Sequence, residues 1–143
     1  AGAITRLLDM GVENYLISSA LIGVLAQRLV RVICKNCKEP AKVASALIDE
    51  LGTCGHEGIK AFHGKGCKAC SQTGYRGRAG IYELLVVDDS IRQLILGKSN
   101  AQKIRDFARD QGMTTLREDG WKKVAAGITT VEEVLRVTLS EQT

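Results

Sequence analysis

Four of the five cysteines fall into two C-x2-C pairs, "CKNC" from Cys34 to Cys37 and "CKAC" from Cys67 to Cys70, with Cys54 alone between them. Two residues between cysteines let both sulfurs turn toward one point while the intervening amides face them, which makes half of a tetrahedral zinc site. A second pair supplies the other half. Cys34, Cys37, Cys67 and Cys70 are therefore the expected ligands of one structural Zn2+. The 29 residues between Cys37 and Cys67 exceed the ribbon spacing of about 15–20, so the hairpin tip carries an insertion, and "SALIDELG" predicts a short helix there from Ser45 to Leu51.

Rival sulfur chemistries fit less well. A disulfide framework needs an oxidising compartment and an even count, and neither an even count nor a secretion signal is present. A redox dithiol stands at the opening of a βαβ pattern, which neither pair does. Cys54, His56 and His63 lie at irregular spacing; Cys54 reads as a small, partly buried residue and the histidines as surface groups. Zinc held by four thiolates carries a formal charge of minus two. Lys35, Lys38, Lys65 and Lys68 flank the pairs, either to balance that charge or as ordinary lysines on exposed turns.

Nothing else marks a catalytic centre. "LGKS" at Leu96–Ser99 matches the tail of a phosphate-binding loop, but the first glycine of that motif falls on Arg92 and the context is helical rather than strand to helix. Gly97 reads as a helix stop instead. Asp88 with Asp89, and Glu132 with Glu133, stand where helices begin and favour the dipole there. Two histidines, both in the hairpin insertion, leave little material for a Ser/His/Asp arrangement.

The elements that must position the sulfurs follow from periodicity. Leu7, Leu8, Leu16, Ile17 and Leu21 recur at helical steps, with Gly11 separating a helix over 5–10 from one over 14–20. "GVLAQRLVRVIC" turns β-branched and delivers Cys34 at a strand end. "GIKAFHGKG" approaches the second pair as an extended segment, and "GRAGIYELLVV" leaves it as a strand, with Gly74, Gly77 and Gly80 permitting tight turns. Arg76 and Arg78 beside them are partner contacts or plain surface charge.

Beyond Val87 the chain reads as four helices. Asp88 and Asn100 are N-caps, Gly97 and Gly112 are stops, and Thr115 with Glu118 and Thr130 with Glu133 are capping boxes. Ile91, Leu94, Ile95, Ile104, Phe107, Ala108, Leu116, Trp121, Val124, Val131, Val134 and Leu135 form the expected helical core. The fold class is α+β: a small β-rich tetracysteine subdomain followed by a compact helical bundle. The division expected is 1–33, helices and a strand; 34–87, the zinc-binding subdomain; and 88–143, the helical subdomain.

The 143 residues, 45% hydrophobic and 25% charged, describe an ordinary globular domain, not a disordered chain, and the net charge of +4 is too small to imply nucleic acid or lipid. No run of 18 apolar residues exists to span a bilayer. The chain starts mid-pattern, without an initiator Met, and reads as a piece of something larger.

Three stretches, "TRLLDMGVENYLISSALIGVLAQRLVRVICKNCKEP", "GCKACSQTGYRGRAGIYELLVVDDSIRQLI" and "ARDQGMTTLREDGWKKVAAGITTVEEVLRVT", resemble in order the C-terminal part of the secretion ATPases of type II secretion and type IV pilus assembly. The resemblance implies a parent that is a hexameric motor at the cytoplasmic face of the inner membrane, hydrolysing ATP with Mg2+ and acting on an inner-membrane platform protein. It implies that 1–33 end a RecA-like core, whose ATPase motifs lie outside this sequence, so that the fragment alone is not catalytic. Cys34, Cys37, Cys67 and Cys70 match the family's zinc-binding cysteines one for one. Gln27, Arg28 and Arg31 of "AQRLVR" would lie near nucleotide or a neighbouring subunit. The rival from another class is a zinc-ribbon nucleic-acid-binding module, suggested by the basic knuckles and Tyr75; an aromatic content of 4% offers few stacking platforms for it.

Overall fold

The computed structural model describes residues 1–43 and 60–139. The helix expected over 45–51, Cys54 and His56 lie outside the described residues. Helices α1 (Gly2–Asp9) and α2 (Asn14–Ala20) lead into the long strand β1 (Gly23–Ile33). Short strands β2 (Lys38–Pro40) and β3 (Phe62–Gly64), a 3-10 turn (Lys68–Cys70) and the long strand β4 (Tyr75–Val86) follow. Helices α3 (Asp89–Leu96), α4 (Ala101–Asp110), α5 (Leu116–Ala125) and α6 (Val131–Thr138) complete the chain. The fold class is α+β.

β1 pairs with β4, and β2 with β3. The β1–β4 ribbon is antiparallel: the N–H of Val87 reaches the carbonyl of Ile22 at one end (3.0 Å), and the N–H of Cys34 reaches that of Gly74 at the other (2.9 Å). β2 and β3 are antiparallel with Glu39 opposite His63. Leu25, Leu29, Leu84 and Val86 project from the long strands and stay exposed.

Two compact units interleave along the chain, one of Ala1–Ala26 with Glu83–Thr115 and one of Gln27–Tyr82 with Leu116–Thr143. In the first, Ile4, Ile17, Leu85, Val87, Ile91, Ile95, Ile104 and Ala108 bury one another, with Leu94 and Phe107 packed on them. Its helices are capped as expected: Asp88 Oδ1 accepts from the N–H of Ile91 (2.8 Å) and Asn100 Oδ1 from that of Lys103 (2.8 Å). α3 does stop at Gly97, but the left-handed residue is Lys98 (φ 51°). The N–H of Ser99 returns to the carbonyl of Leu94 at 3.0 Å, the hydrogen bond of a Schellman-type ending. "LGKS" is thus a helix terminus.

In the second unit Trp121, Val124, Val131 and Val134 surround Ala61, with Leu135 packed on them. Gly120 lets α5 approach α6 closely, since a Cβ there would meet Cγ1 of Val134 at 2.6 Å. The loop between these helices zips onto β1: the carbonyl of Ile128 accepts from the N–H of Ile33 (2.9 Å), and the Thr129 hydroxyl donates to the carbonyl of Arg31 (2.7 Å).

Candidate metal centre

β1 ends at Ile33 and hands Cys34 to a tight turn, in which the N–H of Cys37 returns to the carbonyl of Cys34 (3.3 Å). The second pair sits on the 3-10 turn, whose exit places Ser71 and Gln72 at positive φ. Gly74 closes the arrangement. Its φ is +78°, and a Cβ on it or on Gly64 would run into the backbone of the other, so only glycine fits on both sides of this contact. Gly77 also has positive φ; Gly80 does not need it, and a Cβ there would instead strike the ring of Tyr82.

These turns bring all four sulfurs within 4.8 Å of one another. Three separations are resolved: Cys34 to Cys67 at 3.9 Å, Cys37 to Cys70 at 3.8 Å and Cys67 to Cys70 at 3.7 Å. A disulfide needs about 2.05 Å. A tetrahedron of sulfurs about 2.3 Å from a central zinc has edges of about 3.8 Å. The four cysteines can hold a metal ion, and they form the only such cluster among the described residues.

Backbone donors supply the electrostatics. Cys70 Sγ accepts from the N–H of Cys67 (3.2 Å) and of Gly74 (3.2 Å), and Cys37 Sγ accepts from that of Gly66 (3.3 Å). Burial pushes the Cys70 thiol up, but the N–H groups of Cys67 and Gly74 and the neighbouring thiols outweigh it and bring it down to about 6. Burial pushes Cys37 up to about 12; the N–H of Gly66 opposes this, and the three other sulfurs reinforce it. The lysines contribute less than their spacing suggests. Lys38 donates to the carbonyl of Gly127 (2.7 Å) and lies over the ring of Phe62, while Lys35, Lys65 and Lys68 are exposed.

A second polar constellation lies in the same unit. Glu133, its side chain 2% exposed, accepts from Nε and Nη2 of Arg31 (3.0 and 2.8 Å), from the N–H of Arg31 (2.8 Å) and from Nε and Nη2 of Arg136 (3.0 and 2.8 Å). Burial raises the Glu133 carboxyl, but the two guanidinium groups overcome that and hold it at about 2. The same carboxylate raises both arginines. Arg31 also stacks on Tyr75, 4.1 Å from the ring centre, and the Tyr75 hydroxyl meets that of Thr130 at 2.9 Å. The expected capping box is therefore half made. Thr130 accepts from the N–H of Glu133 (3.3 Å), but the Glu133 side chain goes to Arg31 rather than back to its own helix terminus.

The family description "Type II/IV secretion system protein" matches residues 1–136. The chain belongs to that family. Among relatives of this secretion-system protein, it is 52% identical over 140 residues to "Type II secretion system protein E" of Pseudomonas aeruginosa, covering 98% of this chain and 28% of the relative. It is 52% identical over 141 residues to "Type IV pilus assembly ATPase PilB" of Thermus thermophilus, covering 97% and 16%. It is 46% identical over 137 residues to "Type II secretion system ATPase E" of Vibrio cholerae, covering 96% and 27%. The chain spans less than a third of the length of each of these relatives.

Other residues named from the sequence make contacts of their own. Gln27 Nε2 donates to the Tyr82 hydroxyl (3.4 Å), and Arg28 Nη1 donates to the carbonyl of Gln27 (2.9 Å). His63 pairs with Glu39 across the β2–β3 ladder (3.1 Å) and stands outside the sulfur cluster. Among the described residues no helix is long and apolar enough to cross a membrane.

Proposed function

We propose that the four cysteines hold one structural zinc ion, and that the chain is the zinc-bearing C-terminal part of a longer secretion or pilus-assembly ATPase. The observation that carries the metal reading is the sulfur geometry, with edges of 3.7 to 3.9 Å against about 3.8 Å for a zinc tetrahedron. Cys34, Cys37, Cys67 and Cys70 would be the ligands. The bound ion would supply no reaction chemistry: with four protein ligands and no open position, a zinc site is structural. Its work is to close the loop between β1 and β4, and a site that is not preformed in the unfolded chain turns binding energy into folding energy.

The motor reading rests on the family and on relatives that are named as type II secretion and type IV pilus assembly ATPases. In that reading the parent is a hexamer that binds ATP and Mg2+ elsewhere in its length and works with an inner-membrane platform protein at the cytoplasmic face. The exposed Leu25, Leu29, Leu84 and Val86 suit long strands whose neighbours belong to the rest of such a polypeptide.

Two measurements test these readings separately. Elemental analysis and X-ray absorption on the purified chain should give one zinc per chain with a first shell of sulfur alone; metal-free protein of equal stability would overturn the metal reading. ATP hydrolysis should be absent from this chain and present in one extended to the full length of its relatives. Failure of the full-length protein to hydrolyse ATP would overturn the motor reading.

A further inference from the structure

Three arginines converge on one open cavity of about 540 Å³, lined by Leu29, Val30, Arg31, Arg78 and Arg136. Among the described residues one acid, Glu133, bonds to Arg31 and Arg136, and its side chain is 2% exposed. Both oxygens of that carboxylate are occupied. Oε1 accepts from Nε and Nη2 of Arg31 and from Nε of Arg136, while Oε2 accepts from Nη2 of Arg136 and from the backbone N–H of Arg31.

That arrangement orients the arginines without using them up. Each turns Nε and Nη2 inward, Nη1 bonds to no other described residue, and the Arg31 and Arg136 side chains remain 49% and 57% exposed. Arg31 is held further by the face of Tyr75, and the exposed Arg78 side chain makes no hydrogen bond or ion pair with another described residue. Among the described residues, three guanidinium charges against one carboxylate leave a surplus of two positive charges around this cavity, an arrangement whose mutual repulsion a bound anion relieves.

We propose that Arg31, Arg78 and Arg136 form a binding site for a dianionic phosphate group, either free or carried as a monoester. A phosphate group matches the surplus in charge, and its several acceptor oxygens suit planar guanidinium donors that are already oriented. A lone carboxylate brings half the charge and fewer acceptors. The site shares no residue with the sulfur centre and does not rest on the zinc reading.

The test is titration of the 143-residue chain as purified, at constant ionic strength, with inorganic phosphate and separately with AMP. Binding is read by calorimetry and by the Nε–H NMR signals of the three arginines. Saturable binding of either probe, moving the signals of Arg31, Arg78 and Arg136, supports the site. Phosphate alone identifies the free ion, and AMP binding at least as tightly identifies a carried monoester. Arg78→Glu should weaken binding by roughly tenfold or more with an unchanged urea unfolding curve, because the Arg78 side chain is exposed and bonds to no other described side chain. Arg76→Glu, an equal charge change outside the cavity, should leave affinity within about twofold. Equal losses from the two variants would reduce the effect to diffuse charge and overturn the proposal. So would the absence of binding at millimolar probe, including the case in which an acidic peptide binds instead.

Discussion

Glu133→Gln removes one charge from the second unit while nearly preserving shape. The carboxyl falls from an ordinary 4.5 to about 2 in the folded chain, which corresponds to roughly 3 kcal/mol of linkage. Arg31 and Arg136 are about half exposed, so water can take over part of their solvation, and about 2 kcal/mol is the loss expected at neutral pH. The sign is fixed by the direction of the shift. A depressed carboxyl contributes fully above its unfolded value of about 4.5, and the contribution fades as pH falls through the folded value of about 2. Less than half should remain near pH 3. Urea unfolding followed by the single Trp reads this unit directly, because Trp121 lies in its core. The measured quantity is the wild-type stability minus that of the variant, in which metal loss and other titrations common to both chains cancel. A difference under about 0.5 kcal/mol at neutral pH, or one that stays constant down to about pH 3, would refute the assignment of Glu133 as a buried, doubly paired carboxylate.

Cys34→Ser and Cys67→Ser should each abolish stoichiometric zinc and lower the unfolding midpoint of the Trp121 signal, as a strong chelator should for wild type; zinc content is the check. Gly74→Ala must accept φ +78° and a clash with Gly64, so it should cost about 1–3 kcal/mol in the same urea assay and weaken metal binding. Cys70 titrates near 6 while Cys37 keeps its proton to about 12. Zinc binding at neutral pH should therefore displace the Cys37 proton, and affinity should fall steeply as pH drops through about 6. Competition with a chelator at several pH values, combined with calorimetry in buffers of different ionisation enthalpy, measures both effects.

The sequence disclosed what depends on neighbours in the chain. C-x2-C spacing gave all four sulfurs, Asp88 and Asn100 capped the helices assigned to them, and the β-branched run before Cys34 became β1. The helical core residues were legible because burial repeats at helical steps. What escaped was pairing at long range. Glu133 sits three residues after Thr130, a spacing that fits a capping box, and only folding brings Arg31 across 102 positions to compete for its carboxylate. A buried acid framed by Val131 and Val134 was the available signal, since acids rarely go under without a partner. Lys38 escaped for the same reason: its position beside a cysteine suggested charge balance, while its partner, the carbonyl of Gly127, is 89 residues away.

Gly74 and Tyr75 are consecutive, yet they serve different constellations. Gly74 gives its N–H to Cys70 and its carbonyl to Cys34, and Tyr75 carries Arg31 on its ring. One peptide plane thus belongs to both neighbourhoods. In a chain carrying the proposed zinc, its removal would slacken the ledge on which a guanidinium rests, so redox or chelation stress on the thiols would reach the basic cleft through covalent adjacency.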